Sequence, residues 1–324
     1  MKTYHIPNTD LHISRLAYGT WHMGGSWNQD PLTAELKERA ERLLLTAVDQ
    51  GINFIDLADI YTLGKSDAVV GEALKNNPGL RDKLYLQAKA GIIVGIDPVR
   101  GGPGRYDFSY DHLVGSVETT LQRLHTDYVD VLALHRPDPL IEPEEVARAF
   151  DHLHSSGKVR YFGVSNHSAM QIELLRKHTN HPIIVNQLEL NLLHSHLISD
   201  GVMVNQNEAS FAAADGLLDY CRVHDITVQA WSPIAGGQLF NPADDAPENV
   251  KETARLIAEL AEKYATSPEA IGFAWLLRHP AGIQPIIGTL RPERIVASCQ
   301  ADNIILTRQE WYSLLIAARG ARMP

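Results

Sequence analysis

Short apolar runs recur along the chain. Each is followed, after a brief polar stretch, by a longer segment whose apolar positions repeat with helical spacing. The runs are ISRLAYGT, NFIDLA, KLYLQAK, YVDVLALH, VRYFGVS, IIVNQLEL, ITVQAWSP and QPIIGT. The helical patterns after them fall near 33–50, 66–76, 111–124, 143–156, 168–178, 213–223, 251–264 and 291–299. Eight alternating strand–helix units predict a parallel sheet closed into a (β/α)8 TIM barrel, one α/β domain over 1–324. No linker-like stretch separates the halves.

Three segments lie outside this alternation. TYHIPNTDLHIS reads as a hairpin turning around Pro7 to Asp10, placed to plug the bottom of the barrel. Ser267-Pro268-Glu269 carries a capping Ser and a Pro at the first helical position, so it opens a further helix. An extra C-terminal helix is expected near 307–319.

Charge and cysteine content narrow the partners. The 324 residues carry a net charge of −10, with a pI near 5.8 and no Lys/Arg-rich run, which argues against nucleic acid or an anionic membrane surface. Cys221 and Cys299 are the two cysteines and form no CxxC pattern, so a reduced, cytoplasmic setting is expected. No signal-peptide core and no window of about 18 apolar residues is present. The oligomeric state is not legible.

Candidate chemistry lies where the strands end, because barrel active sites are built from the C-terminal ends of strands and the loops that follow. NFIDLADIY places Asp56, Asp59 and Tyr61 there, LYLQAKAG ends strand three in Lys89, and DVLALHRPD ends strand four in His135. Ionisable residues closing apolar runs are rarely buried without partners. Asp56 is expected to pair with Lys89, and Lys89 to lie beside the Tyr61 hydroxyl and lower its pKa from about 10. A tyrosine so tuned protonates a carbonyl oxygen, and His135 orients that oxygen. Asp59 reads as a cap of its own loop.

With these residues in place, the sequence resembles the aldo-keto reductases, (β/α)8 proteins that move hydride between NADPH and carbonyl compounds. The likeness runs through GTWHMGG, DLADIY with GEAL, LQAKAG, LALHRPD, GKVRYFGVSN, NQLELN, AWSPIAGGQL and IIGTLRPERI, nearly the whole chain. It implies that Asp56, Tyr61, Lys89 and His135 are catalytic, and that NADPH/NADP+ binds without a GxGxxG fingerprint. Ser165, Asn166 and Gln187 would hold the nicotinamide carboxamide, and Trp231 would stack on its ring. Thr289 and Arg294 would hold the adenosine 2′-phosphate, with Gly288 and Ser298 standing where part of the family has Lys and Asn. Thr20, Trp21, Asp56, Ser232, Pro233, Ile234 and Gly236 complete the expected cofactor contacts. Trp21, Met23, Trp27, Tyr61 and His135 are the expected substrate contacts.

Other readings compete. The same family includes NADP-binding regulatory subunits of channels, which bind cofactor with little turnover. Gly64-Lys65-Ser66 lacks the preceding glycine of a phosphate loop, since Asp59 stands there. RGGPGR (100–105) reads as a flexible loop. A metal-dependent hydrolase would want a His pair after the first strand, where only His22 occurs, so no metal is expected. The expected partner is a small carbonyl compound.

Overall fold

The computed structural model describes residues 1–97, 101–203 and 216–324. An N-terminal hairpin, β1 (Thr3–His5) and β2 (His12–Ser14), precedes β3 (Ala17–Gly19), α1 (Ala34–Asp49), β4 (Phe54–Asp56) and α2 (Lys65–Asn76). Next come β5 (Tyr85–Ala90), a two-stranded ribbon of β6 (Ile92–Ile93) with β7 (Arg105–Tyr106), α3 (Tyr110–Leu124), β8 (Val129–Leu134) and α4 (Pro143–Ser155). The second half runs β9 (Val159–Ser165), α5 (Ala169–Arg176), β10 (Ile183–Glu189), α6 (His196–Met203), α7 (Leu217–Val223) and β11 (Thr227–Trp231). It ends with α8 (Glu248–Lys263), α9 (Pro268–Leu277), β12 (Gln284–Ile287), α10 (Pro292–Cys299) and α11 (Arg308–Arg319).

Eight parallel strands close into a barrel in the order β3–β4–β5–β8–β9–β10–β11–β12 and back to β3. This is the (β/α)8 architecture expected from the alternation. The Ser267 cap begins α9 where the sequence places it, and the structure adds a Thr cap at α11. Ser267 Oγ accepts from the Ala270 amide with Pro268 behind it, and Thr307 forms a reciprocal capping box with Glu310.

The hairpin is the plug. Ile6, Leu11 and Ile13 are fully buried against Ala17 and Phe54 at the starts of β3 and β4, and against Val131, Val185 and Ile286. Each such side chain contributes roughly 1.5–3 kcal/mol of transfer free energy. With the bottom closed, the open end of the barrel lies at the C-terminal ends of the strands.

The structure departs from the sequence pattern in three places. Of RGGPGR, residue 100 lies outside the described residues, and 101–105 is not wholly irregular, because Arg105 pairs across to Ile93 in the ribbon. Helix α6 occupies what reads as loop after the sixth barrel strand; with eight residues and an internal Gly201 it is too short to show a helical period. The helix expected near 213–223 is present from Leu217 to Val223, and its first positions, 213–215, lie outside the described residues.

Candidate active site

The parallel register brings polar residues of several strands to one level. Gly19 pairs with Asp56, Asp56 with Gln87, Ser165 with Gln187, Gln187 with Gln229, and Gln229 with Gln284. Asp56 is the hub of this layer. Its Oδ1 accepts from Lys89 Nζ at 2.5 Å, Gln187 Nε2 at 2.8 Å and Gln87 Nε2 at 3.0 Å. Gln87 and Gln187 also donate to Gln229 Oε1, Gln229 donates to Gln284, and Gln284 donates to the Ser14 carbonyl. The ion pair is therefore held in a buried amide network, which makes its burial affordable.

Above this layer the chain turns sharply. A 3₁₀ turn, Tyr61–Gly64, follows β4, with Thr62 and Leu63 at φ 49° and 59° and Gly64 at φ 84°. Such left-handed non-glycine residues cost free energy and mark backbone held in place by its surroundings. The turn sets the Tyr61 ring 5.0 Å from Lys89 Nζ, and its centroid lies 5.8 Å from that of His135, edge-on. Trp21 also packs on Tyr61, at 6.3 Å between centroids, and itself stacks on His22.

The electrostatics differ from the expected tuning. Burial, reinforced by the Asp56, Asp67 and Asp59 carboxylates, holds the Tyr61 hydroxyl well above its ordinary pKa, and Arg136 pulls the other way. The expected lowering by Lys89 is absent because that ammonium is already matched by Asp56. Burial also lowers the Lys89 pKa, against the upward pull of Asp56. His135 is held well below its usual value by burial first and then by Lys89 and Arg136, so its ring is neutral at physiological pH. Its Nδ1 is buried with no hydrogen-bond partner among the described residues.

Asp56, Tyr61 and His135 line one cleft of about 460 Å³ with Trp21, Trp27, Ser165, Asn166, Gln187, Trp231, Ser232, Pro233, Ile234, Gly236, Gly288, Thr289, Arg294 and Ser298. Lys89 lies beneath, 1% exposed. Two expected contacts are corrected. Met23 does not line the cleft; it is fully buried in the main hydrophobic core. Thr20 is fully buried too, and its hydroxyl is spent on the Asp56 carbonyl at 3.0 Å, so it ties the ends of β3 and β4 together.

The far wall of the cleft is prearranged. Trp231 Nε1 donates to Asn166 Oδ1 (3.1 Å), Asn166 Nδ2 to Ser165 Oγ (2.7 Å), Ser165 Oγ to the Gln187 carbonyl (2.9 Å), and Gln187 Nε2 to Asp56. One hydrogen-bonded line thus joins the Trp231 indole to the Asp56 carboxylate. Asn166, Ser232 and Ala235 all take φ of 48–62° along this wall. Gly288 leaves open space where a Cβ would stand. Arg294 Nε lies 3.6 Å from Glu269 Oε1, and both side chains line the cleft.

Several site residues escape sequence reasoning. Gln87, Gln229 and Gln284 are polar interruptions of apolar strand runs, and that is the signal they carry. Glu269 belongs to a helix cap in sequence and reaches the cleft only through the packing of α9 beside α10. Arg136 and His22 follow a strand end and line the same opening.

The C-terminal ends of the strands of a closed eight-stranded barrel thus gather an Asp–Lys pair, a tyrosine and a histidine around one opening. The aldo/keto reductase family model matches residues 15–317, and the chain belongs to that family. It is 36% identical to the uncharacterized oxidoreductase YcsN of Bacillus subtilis, over 97% of both chains. It is 35% identical to the 6-dehydroglucose reductase of Agrobacterium fabrum, over 96% of both. Among solved structures it resembles the glycerol dehydrogenase AKR11B4 of Gluconobacter oxydans, with a TM-score of 0.81, 26% identity and coverage of 98% of this chain and 95% of that one. The family is one of nicotinamide-dependent oxidoreductases.

Proposed function

We propose that the protein is an NADPH-dependent carbonyl reductase in which Tyr61 is the proton donor. The observation that carries this reading is the stacking of functions in one cleft: the buried Lys89–Asp56 pair under the Tyr61 ring, with neutral His135 beside it. When bound, the dihydronicotinamide supplies the hydride. The cleft suits such a cofactor: Trp231 offers a flat apolar face, Ser165, Asn166 and Gln187 offer polar groups beside it, and Gly288 leaves room for close approach. Thr289 and Arg294 offer a hydroxyl and a planar cation for the 2′-phosphate, which favours NADPH over NADH.

The chain's own part is placement and proton handling. His135, neutral, donates a hydrogen bond to the substrate oxygen and fixes its position. Tyr61 passes its hydroxyl proton to that oxygen as the C=O π bond breaks. The tyrosinate left behind is stabilised by Lys89 and Arg136 and regains its proton from water. Asp56 holds Lys89 under the ring throughout. Trp21 and Trp27 form the apolar lip that receives the substrate. The name of the Agrobacterium relative draws attention to sugar-derived aldehydes within this class.

The test is NADPH oxidation followed at 340 nm with a panel of aldehydes, ketones and dicarbonyls, with Tyr61→Phe run in parallel. The variant is expected to lose most of kcat while its NADPH affinity stays within about twofold. Turnover that survives in the variant removes Tyr61 from this role. NADPH retained tightly with no turnover on any compound overturns the reductase and favours a cofactor-binding regulatory role.

A further inference from the structure

The ionisable groups of the cleft can be matched one against another. Asp56 is answered by Lys89 at 2.5 Å, and Glu269 faces Arg294 at 3.6 Å. His135 is neutral and Tyr61 protonated. Arg136 is left over. It lines the cleft next to His135, is half-buried, and makes no ion pair among the described residues. Its nearest carboxylate in sequence, Asp138, is turned away, its two oxygens accepting from the Phe108 and Leu140 amides. The Arg136 guanidinium instead rests over the Trp231 ring, 5.5 Å from its centroid.

An unmatched guanidinium in a partly desolvated cleft, in a protein of net charge −10, is an anion seat waiting for its counter-charge. Its field reaches both Tyr61 and His135, which sets it close to the carbonyl oxygen of any bound substrate. The Trp231 face beneath it orients the planar fork. From the match of charges and the position over Trp231 we infer that Arg136 is a specificity-determining residue that selects carbonyl substrates carrying an anionic group, a carboxylate or a chemically similar oxyanion, near the reacting carbon. This deepens the proposed reductase reading and rests on it for the identity of the reacting carbonyl.

The experiment compares matched pairs: 2-, 3- and 4-carboxybenzaldehyde against the corresponding formylbenzamides, which keep shape and lose charge. In the wild-type protein the carboxylates are expected to win in kcat/KM, through KM. In Arg136→Met the ratio of acid to amide is expected to fall about 10- to 100-fold, the worth of a hydrogen-bonded charge pair, and Arg136→Lys restores part of it. An equal loss on acid and amide overturns the inference and leaves Arg136 only as a support for Trp231 and for the Tyr61 phenolate. A wild-type preference for the amides overturns it as well. Benzoate and benzamide binding to the NADP+-loaded protein, read by tryptophan fluorescence, supplies the arm that does not need turnover. If no carbonyl is reduced, the reductase reading falls, while benzoate binding that Arg136→Met abolishes still upholds the anion seat. Benzoate binding no better than benzamide sinks the seat whatever the turnover.

Discussion

Asp67 on α2 lies outside the cleft, and its burial is expected to make the fold pH-sensitive. It is fully buried; Oδ2 accepts from Thr120 Oγ1 at 3.1 Å, and Oδ1 has no hydrogen-bond partner among the described residues. Burial first, and then the Asp59 carboxylate, push it up to about 7, against the pull of Arg123, Lys89 and the Thr120 hydrogen bond. A carboxyl whose folded pKa exceeds its unfolded value keeps a proton the unfolded chain has lost, so the fold weakens as pH rises from about 4 to about 7. The rise from 3.8 to about 7 corresponds to about 4 kcal/mol at 1.36 kcal/mol per unit, of which about 3 kcal/mol falls between pH 5 and pH 8. Asp67→Asn keeps an oxygen for Thr120 and carries no charge at any pH. Its melting temperature relative to wild type should therefore climb by about 4 °C between pH 5 and pH 8, using about 1.5 °C per kcal/mol for a chain of this length. Thermal melts by circular dichroism in matched buffers give the number. An offset that stays constant across that range refutes the reasoning, because Asp67 would then not be titrating there.

Two further outcomes follow from packing and charge. Gly71→Ala would ordinarily stabilise a helix interior by about 1 kcal/mol, but a Cβ at Gly71 would stand 2.0 Å from the Arg123 carbonyl oxygen. Backbone of α3 must move, so urea melts should show a net loss of about 1–3 kcal/mol, and a gain would mean that the helices part freely. Arg294→Ala should weaken NADPH binding about 10- to 100-fold and NADH binding much less, by fluorescence titration; equal losses would remove Arg294 from the 2′-phosphate and leave it only as the partner of Glu269.

The barrel is legible because alternation of two periods is a property of the chain itself, and the strand-end rule then says which polar residues face the opening. Asp56, Tyr61, Lys89 and His135 fall together for that reason. Met23 and Thr20 are misplaced by the same logic: both follow the first strand, yet the turn after Gly19 folds back through the Met23 amide to the Thr20 carbonyl, which sends both side chains inward. Periodicity does not encode the path of a turn. The glutamine layer is half visible, since a lone Gln in an apolar strand marks an oddity, but which residues it meets depends on strand register. Glu269 and Arg136 depend on how α9, α10 and the loop after β8 close around the opening, a tertiary outcome without a local signal.

The Tyr61 electrostatics show why a lone charge pair in sequence is a poor guide to acidity. Lys89 is adjacent to Tyr61, yet its field is largely cancelled by Asp56 at 2.5 Å, while the Asp67 and Asp59 carboxylates add negative charge. In the proposed reduction, with Tyr61 as the donor, this arrangement has a use. A tyrosine lowered to near neutrality would be partly ionised in the resting protein, and each ionised copy would lack the proton it must give. Held above its ordinary value, Tyr61 is protonated in every molecule, and the neutral His135 beside it is likewise a donor. The cations within reach, Lys89 beneath the ring and Arg136 at the mouth, then matter most after the proton has left, when the phenolate is the charge to be stabilised. In that proposed reaction, acidity is a property of the transition state more than of the resting residue. An anionic substrate on Arg136 would engage one of those two cations, so the choice of substrate and the strength of the proton donor are coupled through a single side chain.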